Sequence, residues 1–314
     1  MSALFTIVLP VFLVIGFGYL VTWRGWFSEG AVDGLMRFAQ NFAVPTLLFA
    51  SMARLDIGSN FQPVLLLSFY LGAFASFLAG WAGAKYLFRR SPADCVAIGF
   101  VCLFSNSLLM GVPITERAFG AAALAGNWAI IAIHSPLLYT FGITVMEFTR
   151  ARGTGLSVGR VALRALTGVL HTPLVIGILS GLAMNALMQA GMTMPEGFWA
   201  AVDMISRAAL PAALFGLGGI LYRYRPEGDM AAIAMCCACS LLLHPAITYG
   251  LGRAGGLDTA GLRSAVMTAS MAPGINAYLF ANIYASARRV AASTVLIGTA
   301  ASVLTIWMWL AILP

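Results

Sequence analysis

Ten apolar stretches, each near the length that crosses a hydrocarbon bilayer, follow one another along this chain with only short polar connections. A spanning helix needs about 20 apolar residues. The stretches fall at 4–22, 35–53, 63–88, 94–120, 127–148, 166–190, 199–222, 230–252, 260–285 and 291–313. No soluble domain fits between them. Only 9% of residues are charged and 61% are hydrophobic, whereas a soluble domain carries about 25% charged residues. The expectation is an all-α integral membrane protein.

The first stretch lacks a basic leader and is long enough to stay in the bilayer, so it reads as a spanning helix. The net charge of +7 sits in connecting loops, where anionic lipid, not nucleic acid, is the expected partner. Cys236-Cys237-Ala-Cys239 resembles a metal cluster only on paper, because no carboxylate or histidine joins it before His244. Neither a metal nor a cofactor is expected.

Lys and Arg mark the cytoplasmic side. Connections after stretches 1, 3, 5, 7 and 9, with their flanks, hold Arg24, Arg37, Lys85, Arg89, Arg90, Arg150, Arg152, Arg160, Arg164, Arg223, Arg225, Arg288 and Arg289, which is 13. The other side holds 4, namely Arg54, Arg117, Arg253 and Arg263, with Arg207 left inside stretch 7. This bias places both termini outside, in the periplasm of a bacterial inner membrane.

The longest polar interval, 149–165, divides the stretches into two sets of five. The sets resemble each other. Pro10 and Gly18 recur as Pro173 and Gly181 at an offset of 163, and Val44-Pro-Thr-Leu-Leu-Phe49 recurs as Leu210-Pro-Ala-Ala-Leu-Phe215 at 166. Pro113 and Pro273 are 160 apart. Five is odd, so the second set must insert upside down, giving inverted repeats over 1–148 and 166–314 with a short cytoplasmic linker at 149–165.

Two stretches carry residues that interrupt a helix: Asn106-Ser-Leu-Leu-Met-Gly-Val-Pro113 in the fourth and Ser270-Met-Ala-Pro-Gly-Ile-Asn276 in the ninth. Irregular backbone at membrane depth is tolerated only where it lines a cavity or is buried in protein. Paired breaks in matching positions point to a transporter's binding site. A half-helix starting at Pro113, and another near Pro273-Gly274, would present free N–H groups and a positive dipole end. Such ends bind carboxylates without a charged side chain. Asn106 and Asn276, with Ser105 or Ser270, would complete the site. The structural alternative is a pair of proline kinks satisfied by neighbouring helices.

His134, in Ile133-His-Ser-Pro-Leu-Leu-Tyr139, is an ionisable residue in the middle of the fifth stretch. It reads either as a functional group that bonds substrate or carries a proton, or as a packing hydrogen bond. His244 and His171 read as structural. Asp203 and Arg207, one turn apart, are expected to pair locally, and Glu116-Arg117 is placed in the outer vestibule.

The segment Asn106-Ser-Leu-Leu-Met-Gly-Val-Pro-Ile-Thr-Glu-Arg-Ala-Phe-Gly120 resembles the auxin efflux carrier family, which includes plant auxin carriers and bacterial malonate-type permeases. Gly274-Ile-Asn-Ala-Tyr-Leu-Phe-Ala-Asn-Ile-Tyr284 and the Val-Pro run at Val44 extend the resemblance over essentially the whole chain. Ser105 stands where the family has a proline, and the third stretch lacks the Asp and Lys of plant carriers. The His-Ser-Pro at 134–136 resembles the bacterial branch.

The resemblance implies a carrier in which helices 1, 2, 6 and 7 form a dimerising scaffold. Helices 3–5 and 8–10 would form a transport domain, with helices 4 and 9 crossing at the substrate site. It places Asn106, His134, Ile275 and Asn276 at or beside that site, to which the two helix breaks add Gly111, Pro113, Pro273 and Gly274. The expected function is secondary transport of a small, malonate-like carboxylate with a proton or sodium ion, by a homodimer. The alternative is a sodium-coupled organic anion symporter of the bile-acid type. An intramembrane enzyme is disfavoured because the chain has neither His-Glu-x-x-His nor an intramembrane nucleophile–base pair.

Overall fold

Backbone polar groups surrounded by lipid must pair within their own segment, which favours helices wherever the chain is apolar. A computed structural model describes residues 2–56, 58, 61–150, 159, 163, 167, 168 and 170–314. Of the linker arginines, Arg152, Arg160 and Arg164 lie outside the described residues, as does most of 149–165.

The elements are helices throughout. The first half holds α1 (Ser2–Trp23), α2 (Glu29–Phe38), α3 (Val44–Ala53), α4 (Pro63–Tyr86), α5 (Pro92–Leu103), α6 (Val112–Phe119) and α7 (Ala125–Arg150). The second holds α8 (Pro173–Gln189), α9 (Glu196–Arg223), α10 (Met230–Ala238), α11 (His244–Ala254), α12 (Thr259–Ala269), α13 (Ile275–Ile283) and α14 (Arg288–Ile312). Six helical runs among the described residues are long and apolar enough to cross a bilayer: Phe5–Trp23, Pro63–Tyr86, Ala121–Arg150, Glu196–Arg223, Met230–Ala254 and Arg288–Ile312. Pro92–Leu103 and Pro173–Gln189 are shorter apolar helices. Phe5, Leu9, Leu13 and Phe17 recur every fourth residue on α1 and are exposed, as a lipid-facing stripe requires.

Proline explains where these helices change register. A proline ring clashes with the carbonyl four residues earlier. Single π turns at Ala39–Ala43, Ser107–Gly111 and Cys239–Leu243 immediately precede Val44-Pro45, Val112-Pro113 and His244-Pro245 and take up the mismatch. The runs α2–α3 and α10–α11 thus continue through their π turns.

The expected stretches at 94–120 and 260–285 are each broken into two helices, α5 with α6 and α12 with α13. The backbone released at the two breaks pairs with itself. Ser105 and Pro273 form an antiparallel bridge, the Asn106 N–H donates to the Ala272 carbonyl at 2.8 Å, and the Gly274 N–H donates to the Phe104 carbonyl at 3.1 Å. Pro273 offers no donor, so the flanking residues carry both bonds. Phe100 of α5 stacks on Phe280 of α13 with centroids 3.9 Å apart, beneath Gly142 of α7, where a Cβ would strike the Phe100 ring.

Helix α1 packs along α9, and α8 along α3. A Cβ on Gly18 would strike the Phe215 carbonyl, and one on Gly181 would stand 2.6 Å from the Phe49 carbonyl. Gly18 and Gly181 are the glycines matched between the halves, as are Phe49 and Phe215. Each half therefore places its glycine on the other half's phenylalanine.

Candidate functional site

Two helices begin at the crossing. Helical backbone resumes at Ser107, where the N–H groups of Met110 and Gly111 both donate to the Asn106 carbonyl at 3.2 Å. Helix α13 begins at Ile275 after Gly274, and the Ala277 N–H donates to the Gly274 carbonyl at 3.0 Å. Neither start has a side-chain cap. The first N–H groups of a helix have no acceptor inside it. Ser107, Leu108 and Leu109 at one end, and Ile275 and Asn276 at the other, therefore present free donors.

Both ends line one cavity of about 180 Å3, whose wall includes Asn106, Ser107, Leu108, Leu109, Gly274, Ile275 and Asn276. Helix α7 adds Ile131, His134 and Ser135, and Gln40, Asn41 and Thr172 extend the wall on the α2–α3 and α8 sides. No Lys, Arg, Asp or Glu is among the described lining residues. Each helix N-terminus acts as roughly half a positive charge, so the positive potential here comes from backbone.

His134 is 4% exposed, and neither ring nitrogen has a hydrogen-bond partner among the described residues. The Ser105 backbone lies beside it but outside hydrogen-bond geometry. The rings of Phe104 and Phe69 stand 4.7 and 5.7 Å from the imidazole. Buried polar groups are ordinarily paired. An unpaired imidazole on a cavity wall is available to a guest. Asn106 is buried at 7% exposure, and its side chain makes no hydrogen bond among the described residues. The Ser105 and Ser107 hydroxyls pair with each other at 2.8 Å. The Tyr139 hydroxyl donates to the Asn276 carbonyl at 3.2 Å, steadying the first turn of α13.

The cavity thus gathers Asn106, His134, Gly274, Ile275 and Asn276 from the expected set. Pro273 lies behind it in the bridge. Gly111 is buried in the π turn, where a Cβ would make ordinary 3.5 Å contact with Met271. Pro113 is the second residue of α6 and lines a different cavity. The free helix end is at Ser107, not at Pro113, because the π turn begins the helical winding before the proline.

Other expectations change. Asp203 pairs with Arg54, not with Arg207: the guanidinium makes two bonds to the carboxylate, at 2.9 and 3.1 Å. A bidentate fork is stronger than a contact along one helix face. His244, read as structural, has its Nε2 3.2 Å from the Phe69 carbonyl of α4. His171 Nδ1 bonds within its own turn, to the Thr167 carbonyl at 2.7 Å. Sequence reasoning missed Gln40, Asn41, Ser135 and Thr172. The polar Gln40-Asn41 pair ahead of Val44-Pro45 was the available signal.

A family profile described as a membrane transport protein matches residues 3–310. The chain belongs to that family, the auxin efflux carriers. This transporter is 25% identical over 307 residues to a protein of Rhizobium meliloti (strain 1021) provisionally named a malonate transporter, with 98% of this chain and 94% of that one covered. It is 21% identical over 304 residues to the uncharacterized transporter YfdV of Escherichia coli (strain K12), covering 96% and 95%. It is 26% identical over 153 residues to auxin efflux carrier component 2 of Oryza sativa subsp. japonica, covering 46% of this chain and 24% of that one. The protein is a multi-pass membrane transporter, not an enzyme.

Proposed function

We propose that this transporter moves a small organic carboxylate, malonate or a related anion, across a bacterial inner membrane by alternating access. One observation carries the reading: two helix N-termini and an unpaired buried histidine line the same cavity. Asn106, Gly274, Ile275, Asn276 and His134 contact the substrate, while Gly111, Pro113 and Pro273 shape the breaks. The cavity, at about 180 Å3, favours a small guest over a drug-sized one. The provisional malonate name of the Rhizobium meliloti relative supports the same substrate class.

The frame for this motion is ten spans in two inverted repeats, 1–148 and 166–314. The exchanged Gly18–Phe215 and Gly181–Phe49 contacts support it, since a two-fold relation interchanges the pairs. Spans 1, 2, 6 and 7 form the scaffold, and spans 3–5 and 8–10 move. Both chain ends face the periplasm. In support, Arg117 bonds the carbonyls of Thr6 and Ile7, while Arg263 bonds Pro314 and covers the Phe119 ring at 4.5 Å, so both ends meet the same end of α6. Family resemblance alone supports the homodimer.

Malonate uptake into proteoliposomes tests the reading. Wild-type protein transports, with a proton gradient preferred to a sodium gradient, and Asn106→Ala does not transport although it remains folded. Equal flux in both proteins contradicts the proposal.

A further inference from the structure

A second cavity, of about 640 Å3, is lined by residues of α1, α6 and α9 with Leu47 and Arg54. On the π turn that leads into α6 the first cavity reaches Leu109, and on α6 the second begins at Pro113, four residues on or about 6 Å of helix rise. On α3, Leu48 faces the first and Leu47 the second. With Val112, 1% exposed, these leucines form an apolar partition.

The two chambers differ in charge. The crossing cavity has no charged residue in its described wall, whereas the second is lined by Arg54, Arg117 and Arg207 with Glu116 and Asp203. Three cations face two anions, and the cations are not equivalent. Arg54 is held by Asp203 and lies 4.6 Å over the Trp199 ring. Arg117 is held by the carbonyls of Thr6 and Ile7. Arg207 is exposed and makes no hydrogen bond or ion-pair contact within 4 Å among the described residues, its charge acting on Asp203 one turn away only at longer range. Beside it, the Ser206 hydroxyl is buried on the same cavity wall without a partner among the described residues. An uncommitted guanidinium fork matches a carboxylate bidentately.

We propose that this chamber is a second anion site, in which Arg207 grips a carboxylate and the Ser206 hydroxyl donates to it. Carboxylate binding in this chamber is independent of the reading of the crossing, whereas its role in supplying the crossing rests on that reading. Its cations are fixed on the scaffold helices α3 and α9 or tied to α1. The chamber therefore concentrates anions behind the partition and supplies the neutral crossing cavity when the partition parts.

The test uses full-length protein in nanodiscs, with malonate as the probe, titrated calorimetrically at low and moderate salt. Wild type should show two classes of binding, one of them salt-sensitive. Arg207→Gln should weaken the salt-sensitive class by at least about tenfold, the scale of one lost charge-assisted bond, and leave the other class in place. Arg207→Lys should lose less, since charge remains without the fork. Asn106→Ala should do the reverse, keeping the salt-sensitive class. An Arg207→Gln isotherm that superimposes on wild type overturns the proposal, as does a wild type that binds neither malonate nor succinate nor acetate. A salt-sensitive class that survives as the only class, untouched by Asn106→Ala, upholds this chamber and instead refutes the crossing. Arg207 is exposed, so unchanged melting of the variant confirms that folding is not the cause.

Discussion

Arg117 donates a 2.8 Å hydrogen bond to the carbonyl of Thr6, four residues ahead of Pro10, which has no N–H to donate. Its Nε adds a 3.1 Å bond to the Ile7 carbonyl. A proline in α1 thereby creates a docking point for the half-helix α6, which begins at the crossing. The second chamber is held in its present shape by this tie between an element proposed to move and one proposed to stay.

Breaking the tie should loosen that end of the partition. Arg117→Gln should raise the rate at which a cysteine placed at Leu47 reacts with a membrane-impermeant maleimide by about fivefold, corresponding to about 1 kcal/mol for a partly exposed charged bond. Pro10→Ala restores an N–H that competes for Thr6 and should act in the same direction. The double variant should add little to either single change, because both remove one interaction. Full additivity would show that the two residues act separately.

The histidine makes a different prediction. His134→Ala should lower malonate flux at least about tenfold, as expected when a buried hydrogen bond to an anion is lost. Melting should change little, since the imidazole has no protein partner to lose. His134→Gln keeps a donor and should restore part of the flux without proton dependence. Wild-type flux from the alanine variant would remove His134 from the site.

Close helix contact makes a prediction about stability. Gly18→Ala and Gly181→Ala each push a methyl group into a backbone carbonyl, which cannot rotate away. Each should cost about 1–3 kcal/mol, measured by thermal or denaturant unfolding in detergent. Gly16→Ala, with nothing within 4 Å of its Cβ, should be close to neutral or slightly stabilising. Similar effects at all three positions would mean that helix propensity and not packing is being read.

Much of this was legible in the sequence because lipid is a demanding solvent. Apolar length located most of the helices to within a few residues, though the second begins at Glu29 and not 35 and the sixth at Pro173 and not 166, and clusters of Gly, Pro and Asn marked where two of them break. Asn106, His134 and Asn276 stood out as polar residues that lipid would not tolerate without a purpose. What could not be read was choice of partner. Asp203 has Arg207 one turn away, yet bonds Arg54, 149 positions distant in the chain, because the fold brings a guanidinium fork squarely to its carboxylate. The start of α6 was misplaced for a local reason: a π turn is not encoded by Pro113 itself but by the need to relieve the clash ahead of it. The pairing of Asn106 with Ala272 and of Gly274 with Phe104 is likewise a product of the crossing and has no signature in either segment alone.

The most direct measurement is an experimental density map of the transporter saturated with malonate. Density is expected at the crossing, within hydrogen-bond distance of the N–H groups of Ser107–Leu109 and Ile275–Asn276 and beside His134. A map in which the saturated protein leaves that cavity empty, or in which either broken helix runs through without interruption, would contradict it.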